Sequence, residues 1–179
     1  MPFNYYHRLS RKQQSTYRKS DAITEVELPD PDRMGDPVRH IERGLAGESL
    51  DDVQSGSESL ARHISRQLGI PRVDVKVLAR RPSDDWGELH GLYEPEEPPR
   101  CARITVWMRT AKREQVVAFK TYLRTLLHEI GHHLDYEYYR LHDSFHTEGF
   151  YKRENHMFQA LTREPAQSEP VQQQLFPEA

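Results

Sequence analysis

Two histidines and a glutamate lie close together in a pattern that suits metal-assisted chemistry. Residues 128–132 read His-Glu-Ile-Gly-His, an H-E-x-x-H sequence. Residues four positions apart lie about one turn apart on one face of an α-helix, so His128 and His132 can both reach one ion. Glu129 points about 100° away from His128, where it cannot easily bind the same ion but can reach a water molecule beside it. The pattern predicts a Zn²⁺ site in which Glu129 is the general base of a hydrolysis.

The apolar residues of the same predicted helix lie on the side opposite the two histidines. With His128 set at 0° and about 100° per residue, His132 falls at about 40° and Asp135 at about 340°. The apolar positions fall roughly between 180° and 260°: Val116, Phe119, Leu123, Leu127, Ile130, Leu134 and Leu141. This separation favours a metal site over histidines packed in the core. Asp135 shares the histidine face, where it accepts a hydrogen bond from an imidazole N–H, anchors a loop or is exposed to solvent.

A catalytic zinc ion needs a third protein ligand, which must come from the residues that follow the motif. The candidates are His142, His146, Glu148 and Glu154. If the helix continues, His142 lies about 15 Å beyond His132 along its axis and is out of reach. His146 and Glu148 lie where the chain returns to begin the last predicted helix. Glu154 shares a face with Phe150, so we expect it to be partly buried, where it can orient a ligand histidine.

Residues 128–150 resemble the SprT-like, WLM-related zincin metallopeptidases. In that family a third histidine follows H-E-x-x-H after a spacer of similar length, and a phenylalanine that opens the next helix comes four residues later. Here thirteen residues separate His132 from His146, and Phe150 stands at the phenylalanine position. The glycine that directly follows the third histidine in the family is displaced to Gly149. The family's zinc-ribbon cysteines are also absent, because the chain has one cysteine.

The resemblance implies that His128, His132 and His146 bind zinc and that Glu129 is the catalytic base of a peptidase. A second resemblance gives a different third ligand. Residues 147–150, Thr-Glu-Gly-Phe, are similar to the Asn-Glu-Gly element of gluzincins, in which the glutamate binds the metal. That similarity implies Glu148 as the third ligand instead of His146.

The elements predicted around the motif indicate an α+β domain, and the resemblance implies that it is of minimal zincin-like type. A small three-stranded sheet packs on the H-E-x-x-H helix, and other helices flank it. The periodicities predict helices over 10–20, 57–68, 114–140 and 147–162, and strands over 73–79, 89–93 and 102–108. The strand over 102–108 alternates as a half-buried strand does. Its residues 103–109 are either a sheet edge that pairs with an extended peptide or simply a strand. Three prolines and four glycines predict that residues 28–56 are irregular, with a helical turn near 38–44.

Composition and charge set the remaining expectations. We divide the chain into an N-terminal helix with an irregular acidic segment (1–56), a metallopeptidase domain (57–162) and a disordered tail (163–179). The single cysteine and the lack of a membrane-spanning apolar run predict a cytoplasmic protein, and the net charge of −3 gives no overall indication of nucleic-acid binding. The resemblance to metallopeptidases implies a peptide or protein substrate. Five basic residues and no acid within residues 1–20 leave a nucleic-acid-associated protease as an alternative. Another alternative is a catalytically silent zinc-binding module that recognises a protein partner.

Overall fold

In the described part of the chain, five α-helices lie around a small mixed sheet. The computed structural model describes residues 3–84 and 87–163, so all but the first residue of the predicted tail lies outside the described residues. In chain order the elements are α1 (Arg11–Ala22), α2 (Gly35–Ala46), α3 (Leu50–Leu68), β1 (Asp74–Arg80), β2 (Ser83–Asp84), β3 (Gly87–Glu88), β4 (Gly91–Glu94), β5 (Arg103–Arg109), α4 (Phe119–Glu137) and α5 (Glu148–Thr162). The predicted α+β class is confirmed. Among the described helices, none is both long and apolar enough to cross a bilayer.

The three-stranded sheet has the order β1-β5-β4, with β5 in the centre. β5 runs parallel to β1 and antiparallel to β4. All residues of β5 from Ile104 to Met108 are buried, because both faces of the central strand are covered. The prediction that this strand is half-buried and forms a sheet edge is therefore wrong. The edge that lies beside α4 is β4.

The two edges of the sheet differ in how their backbone groups are paired. Along β1, the side-chain amide of Gln54 donates to the carbonyl of Val75 (2.8 Å) and accepts from the N–H of Val77 (2.7 Å). Gln54 thus takes the hydrogen bonds that a further strand would make. Within the described part of the chain, β4 has backbone partners only on its β5 side. The edge of β4 is therefore the one open to strand addition.

Residues 28–56, predicted to be irregular, are mostly helical. They contain α2 and the first turns of α3, which begins seven residues earlier than predicted, at Leu50 with Ser49 as its N-cap. The glycines that suggested irregular structure lie where these helices touch. A Cβ on Gly44 would lie 2.9 Å from the backbone nitrogen of Val53, and one on Gly56 would lie 2.8 Å from Cγ1 of Ile41. Close packing of the two helices outweighs the poor helix propensity of glycine.

Helix α4, which carries H-E-x-x-H, is shorter at both ends than the predicted 114–140. Before it, the chain folds back on β5, and the N–H of Val117 donates to the carbonyl of Met108 (2.8 Å). After it, Arg140 adopts φ +53° and the N–H of Leu141 donates to the carbonyl of Asp135 (2.8 Å). This left-handed turn ends the helix and sends the chain back toward the histidines.

The N-terminal helix packs directly on the last helix. A capping box of Ser10 and Gln13 is present at the start of α1, and Thr147 caps α5 by accepting from the N–H of Phe150. At the far end of α1, a Cβ on Gly149 would lie 2.6 Å from the carbonyl oxygen of Ser20. Glycine at position 149 therefore permits α1 and α5 to approach each other closely.

Candidate metal centre

Three histidine side chains converge at the surface of α4. Nε2 of His146 lies 3.0 Å from Nε2 of His128 and 3.1 Å from Nε2 of His132. One ring nitrogen from each of the three lies within 4.8 Å of the other two, a grouping that could hold a metal ion. The loop between α4 and α5 thus brings the third histidine onto the face where the first two lie.

The surroundings favour the neutral form of two of these imidazoles, those of His132 and His146. Burial, together with the neighbouring His128 and His146, lowers the pKa of His132 to about 3. Burial and the nearby His128 also lower the pKa of His146. A neutral imidazole has a free lone pair on one ring nitrogen, which is the form that binds a cation.

Glu154 holds His128 in a defined orientation. Its Oε2 lies 3.0 Å from Nδ1 of His128, and its side chain is only 12% exposed. Because a carboxylate only accepts, Nδ1 of His128 carries the proton and its Nε2 presents a lone pair to the cluster. This agrees with the predicted burial of Glu154 and places it against a predicted ligand.

Asp135 is linked to His132 by hydrogen bonds through Ser144, a residue that the sequence analysis did not identify. Asp135 is completely buried, so the alternative that it is exposed to solvent is wrong. The hydroxyl of Ser144 donates to Oδ2 of Asp135 (2.7 Å) and lies 2.7 Å from Nδ1 of His132. Ser144 therefore stands between the carboxylate and the imidazole.

Glu129 lies in the same cleft as the three histidines. The cleft has a volume of about 330 Å³ and is lined by residues of α4, β4 and the loop before α5: Gly91, Leu92, Tyr93, Pro95, His128, Glu129, His132, Tyr136, Ser144 and His146. Glu129 is buried, and burial raises the pKa of its carboxyl to about 7. A carboxyl that titrates near neutral pH can both take up and release a proton.

The apolar ring of Phe150 packs against the rings of all three histidines. Its ring centroid lies 5.0 Å from that of His128, 4.8 Å from that of His132 and 5.5 Å from that of His146. Gly131 makes room for this ring, because a Cβ there would lie 3.1 Å from Cζ of Phe150. The glycine within H-E-x-x-H thus allows α5 to pack beneath the histidines.

Tyr93 forms the opposite wall and is held there by His133. Nε2 of His133 donates to the carbonyl of Pro71 (2.9 Å), so its Nδ1 accepts from the Tyr93 hydroxyl (3.2 Å). The ring of Tyr93 stacks on that of His132 with centroids 6.2 Å apart. Sequence reasoning missed Gly91, Tyr93 and Ser144, since β4 and the loop carry no motif of their own.

The other candidate residues lie apart from the cluster. Glu148 is exposed and pairs with Lys152 (2.8 Å), and it is not among the grouped metal-binding side chains. His142 is also exposed and outside the group. Tyr139, which lies on the histidine face of the wheel, donates its hydroxyl to the carbonyl of Glu25 (3.0 Å) and is directed away. Of the two alternative third ligands, the fold brings only His146 to the histidine pair.

Comparison of the chain with protein-family models, with curated proteins and with solved structures gives no match.

Proposed function

We propose that this protein is a zinc-dependent metallopeptidase related to the SprT-like zincins. The observation that carries the proposal is the convergence of three histidine Nε2 atoms beside a buried glutamate in one cleft. Zinc bonds of about 2.0–2.1 Å in a tetrahedron separate neighbouring ligand atoms by about 3.3 Å. The separations of 3.0 and 3.1 Å at His146 are close to that value. Three neutral imidazoles are also a ligand set that catalytic zinc uses.

When bound, zinc supplies Lewis acidity that polarises a substrate carbonyl and activates a water molecule for attack. The chain's own contribution to the chemistry is proton transfer by Glu129. Its carboxylate accepts a proton from the attacking water as the new C–O bond forms. It then delivers that proton to the departing amine nitrogen as the C–N bond breaks. The pKa of about 7 matches this double role near neutral pH.

The open edge of β4 supports an extended peptide as the substrate. β4 lines the cleft with Gly91, Leu92 and Tyr93, and its outer backbone groups have no partner among the described residues. A peptide that pairs with this edge would run past Glu129 and the histidines. The proposal therefore still includes a peptide that pairs with a sheet edge. The edge is β4, however, and not the strand over 102–108 for which the pairing was predicted.

The proposal is tested by measuring zinc content and peptide hydrolysis in the full chain. We expect one zinc per chain and hydrolysis in a broad peptide library. The variant Glu129→Gln should keep the zinc and lose hydrolysis. Glu58→Gln is a matched control, because Glu58 lies on α3, outside the cleft, and accepts from the nearby Gln54 (2.7 Å). It should retain both properties.

Two results would overturn the proposal. Natively purified protein without stoichiometric zinc would reject the metal site itself. Zinc-loaded protein that cleaves nothing yet captures one protein partner tightly would instead identify a silent binding module.

A further inference from the structure

Arg153, a buried residue of α5, forms hydrogen bonds both to the end of α1 and to the face of α4 that carries the histidines. The guanidinium of Arg153 donates to the carbonyls of Ser20 (2.6 Å) and Ile23 (2.6 Å), where α1 ends. It also donates to Oδ1 of Asp135 (2.7 Å). The side chains of Arg153 and Asp135 are 2% and 0% exposed. Arg153 thus satisfies helix-end carbonyls and a buried carboxylate at the same time.

Asp135 in turn determines the direction of the Ser144 hydroxyl. Arg153 donates to Oδ1 of Asp135 and the Ser144 hydroxyl donates to Oδ2, so Asp135 accepts a hydrogen bond at each of its two oxygens. Ser144 has one hydroxyl proton, and that proton is directed at Oδ2 of Asp135. The Ser144 oxygen can therefore only accept from Nδ1 of His132, 2.7 Å away. This places the proton of the neutral His132 ring on Nδ1 and the lone pair on Nε2.

The same hydrogen bonds hold the segment that carries His146. Ser144 and His146 lie in the stretch between α4 and α5, which has no helix or strand of its own. Two contacts from the N-terminal residues also reach this stretch: the Tyr5 hydroxyl donates to the carbonyl of His146 (3.2 Å), and the ring of Tyr17 lies 6.0 Å from that of Phe145.

We propose that Ser144 is a positioning residue that keeps His132 in the tautomer with its proton on Nδ1. Asp135, Arg153 and the end of α1 hold Ser144 in place, so the end of α1 supports the proposed metal centre. The inference rests on the metal site of the proposed function, and it adds a residue that the H-E-x-x-H pattern does not contain. Glu154 accepts from Nδ1 of His128 in the same way, so His128 and His132 each have their own hydrogen-bond acceptor at Nδ1.

The test compares Ser144→Ala and Ser144→Thr with wild type in two measurements. In the metal-free full chain, ¹⁵N shifts of the imidazole nitrogens report the tautomer of His132. In the second measurement, titration of Zn²⁺ against a chelator gives the affinity, and Co²⁺ absorption reports the ligand geometry. Ser59→Ala is the matched control, because the Ser59 hydroxyl lies 3.5 Å from Nδ1 of His63, on α3.

We expect Ser144→Ala to lose the pure Nδ1–H form of His132 and to bind Zn²⁺ about 10–100-fold more weakly. Ser144→Thr, which keeps a hydroxyl, should restore both, and Ser59→Ala should change neither. An unchanged tautomer and affinity in Ser144→Ala would overturn the inference while leaving the proposed function intact. Wild-type protein that binds no Zn²⁺ would instead reject the proposed function, although the tautomer measurement would still test the contact.

Discussion

Glu129 of the H-E-x-x-H helix packs directly against the backbone of Gly91 on strand β4. A Cβ at position 91 would lie 2.8 Å from both Cγ and Cδ of Glu129, a separation that real contacts essentially never show. The absence of a side chain at this one strand position therefore decides where the carboxylate of Glu129 can lie.

The variant Gly91→Ala should consequently displace Glu129 while leaving the histidines in place. We expect peptide hydrolysis to fall roughly tenfold or more, because small misplacements of a catalytic group are costly. Zinc affinity should stay close to that of wild type. Gly35→Ala is the control, since its added Cβ meets only the flexible end of Arg39 (3.0 Å). Equal hydrolysis by Gly91→Ala and wild type would show that the contact does not position Glu129.

Burial of Glu129 should make the stability of the metal-free protein depend on pH. The folded carboxyl has a pKa of about 7 against an ordinary value of 4.5, so the folded state holds its proton more tightly. Wild type therefore loses stability as pH rises from 4.5 to 7, whereas Glu129→Gln has no such proton to lose. The variant should gain up to about 3 kcal/mol relative to wild type across this window. Urea unfolding of both proteins at pH 4.5 and 7.5 measures the difference, and a difference independent of pH would contradict it.

Removal of the Glu154 carboxylate should weaken metal binding through His128. Without the acceptor at 3.0 Å from Nδ1, the ring loses its fixed tautomer, so Glu154→Ala should bind Zn²⁺ about 10–100-fold more weakly. Glu154→Gln keeps an acceptor oxygen and should lose less. Chelator competition provides the measurement, with Glu58→Ala on α3 as the control. If Glu154→Ala binds zinc as tightly as wild type, the contact has no role in orienting His128.

The buried pair of Arg153 and Asp135 should be sensitive to loss of either charge. Arg153→Met leaves the fully buried Asp135 without its cation, which should cost about 3–5 kcal/mol in the free energy of unfolding. The exposed pair of Arg39 and Asp36 offers the comparison, and Arg39→Met should change stability by less than about 1 kcal/mol. Denaturant unfolding of the metal-free variants measures both, and equal effects would show that burial of the first pair is unimportant.

Features that depend on neighbouring residues were predictable from the sequence. The four-residue spacing of His128 and His132, the opposite apolar stripe and the capping box at Ser10 each depend on residues of a single helix and its ends. Gly69, with φ +65°, ends α3 where predicted for the same reason. The presence of three strands was also predictable, because alternation of apolar residues is a local pattern.

Only the tertiary structure decided the features that depend on distant parts of the chain. The order of the strands made β4, not β5, the open edge, and the pairing of Gln54 with β1 closed the other one. Gly44 and Gly56 have low helix propensity, yet contact between α2 and α3 keeps both glycines helical. Likewise, the left-handed turn at Arg140 directs the chain back so that His146 rather than Glu148 meets the helix histidines. His128 and His132 lie on one face through helix geometry alone, but the rest of the proposed metal centre exists because packing brings together residues from α1, β4, α4 and α5 and from the loop before α5.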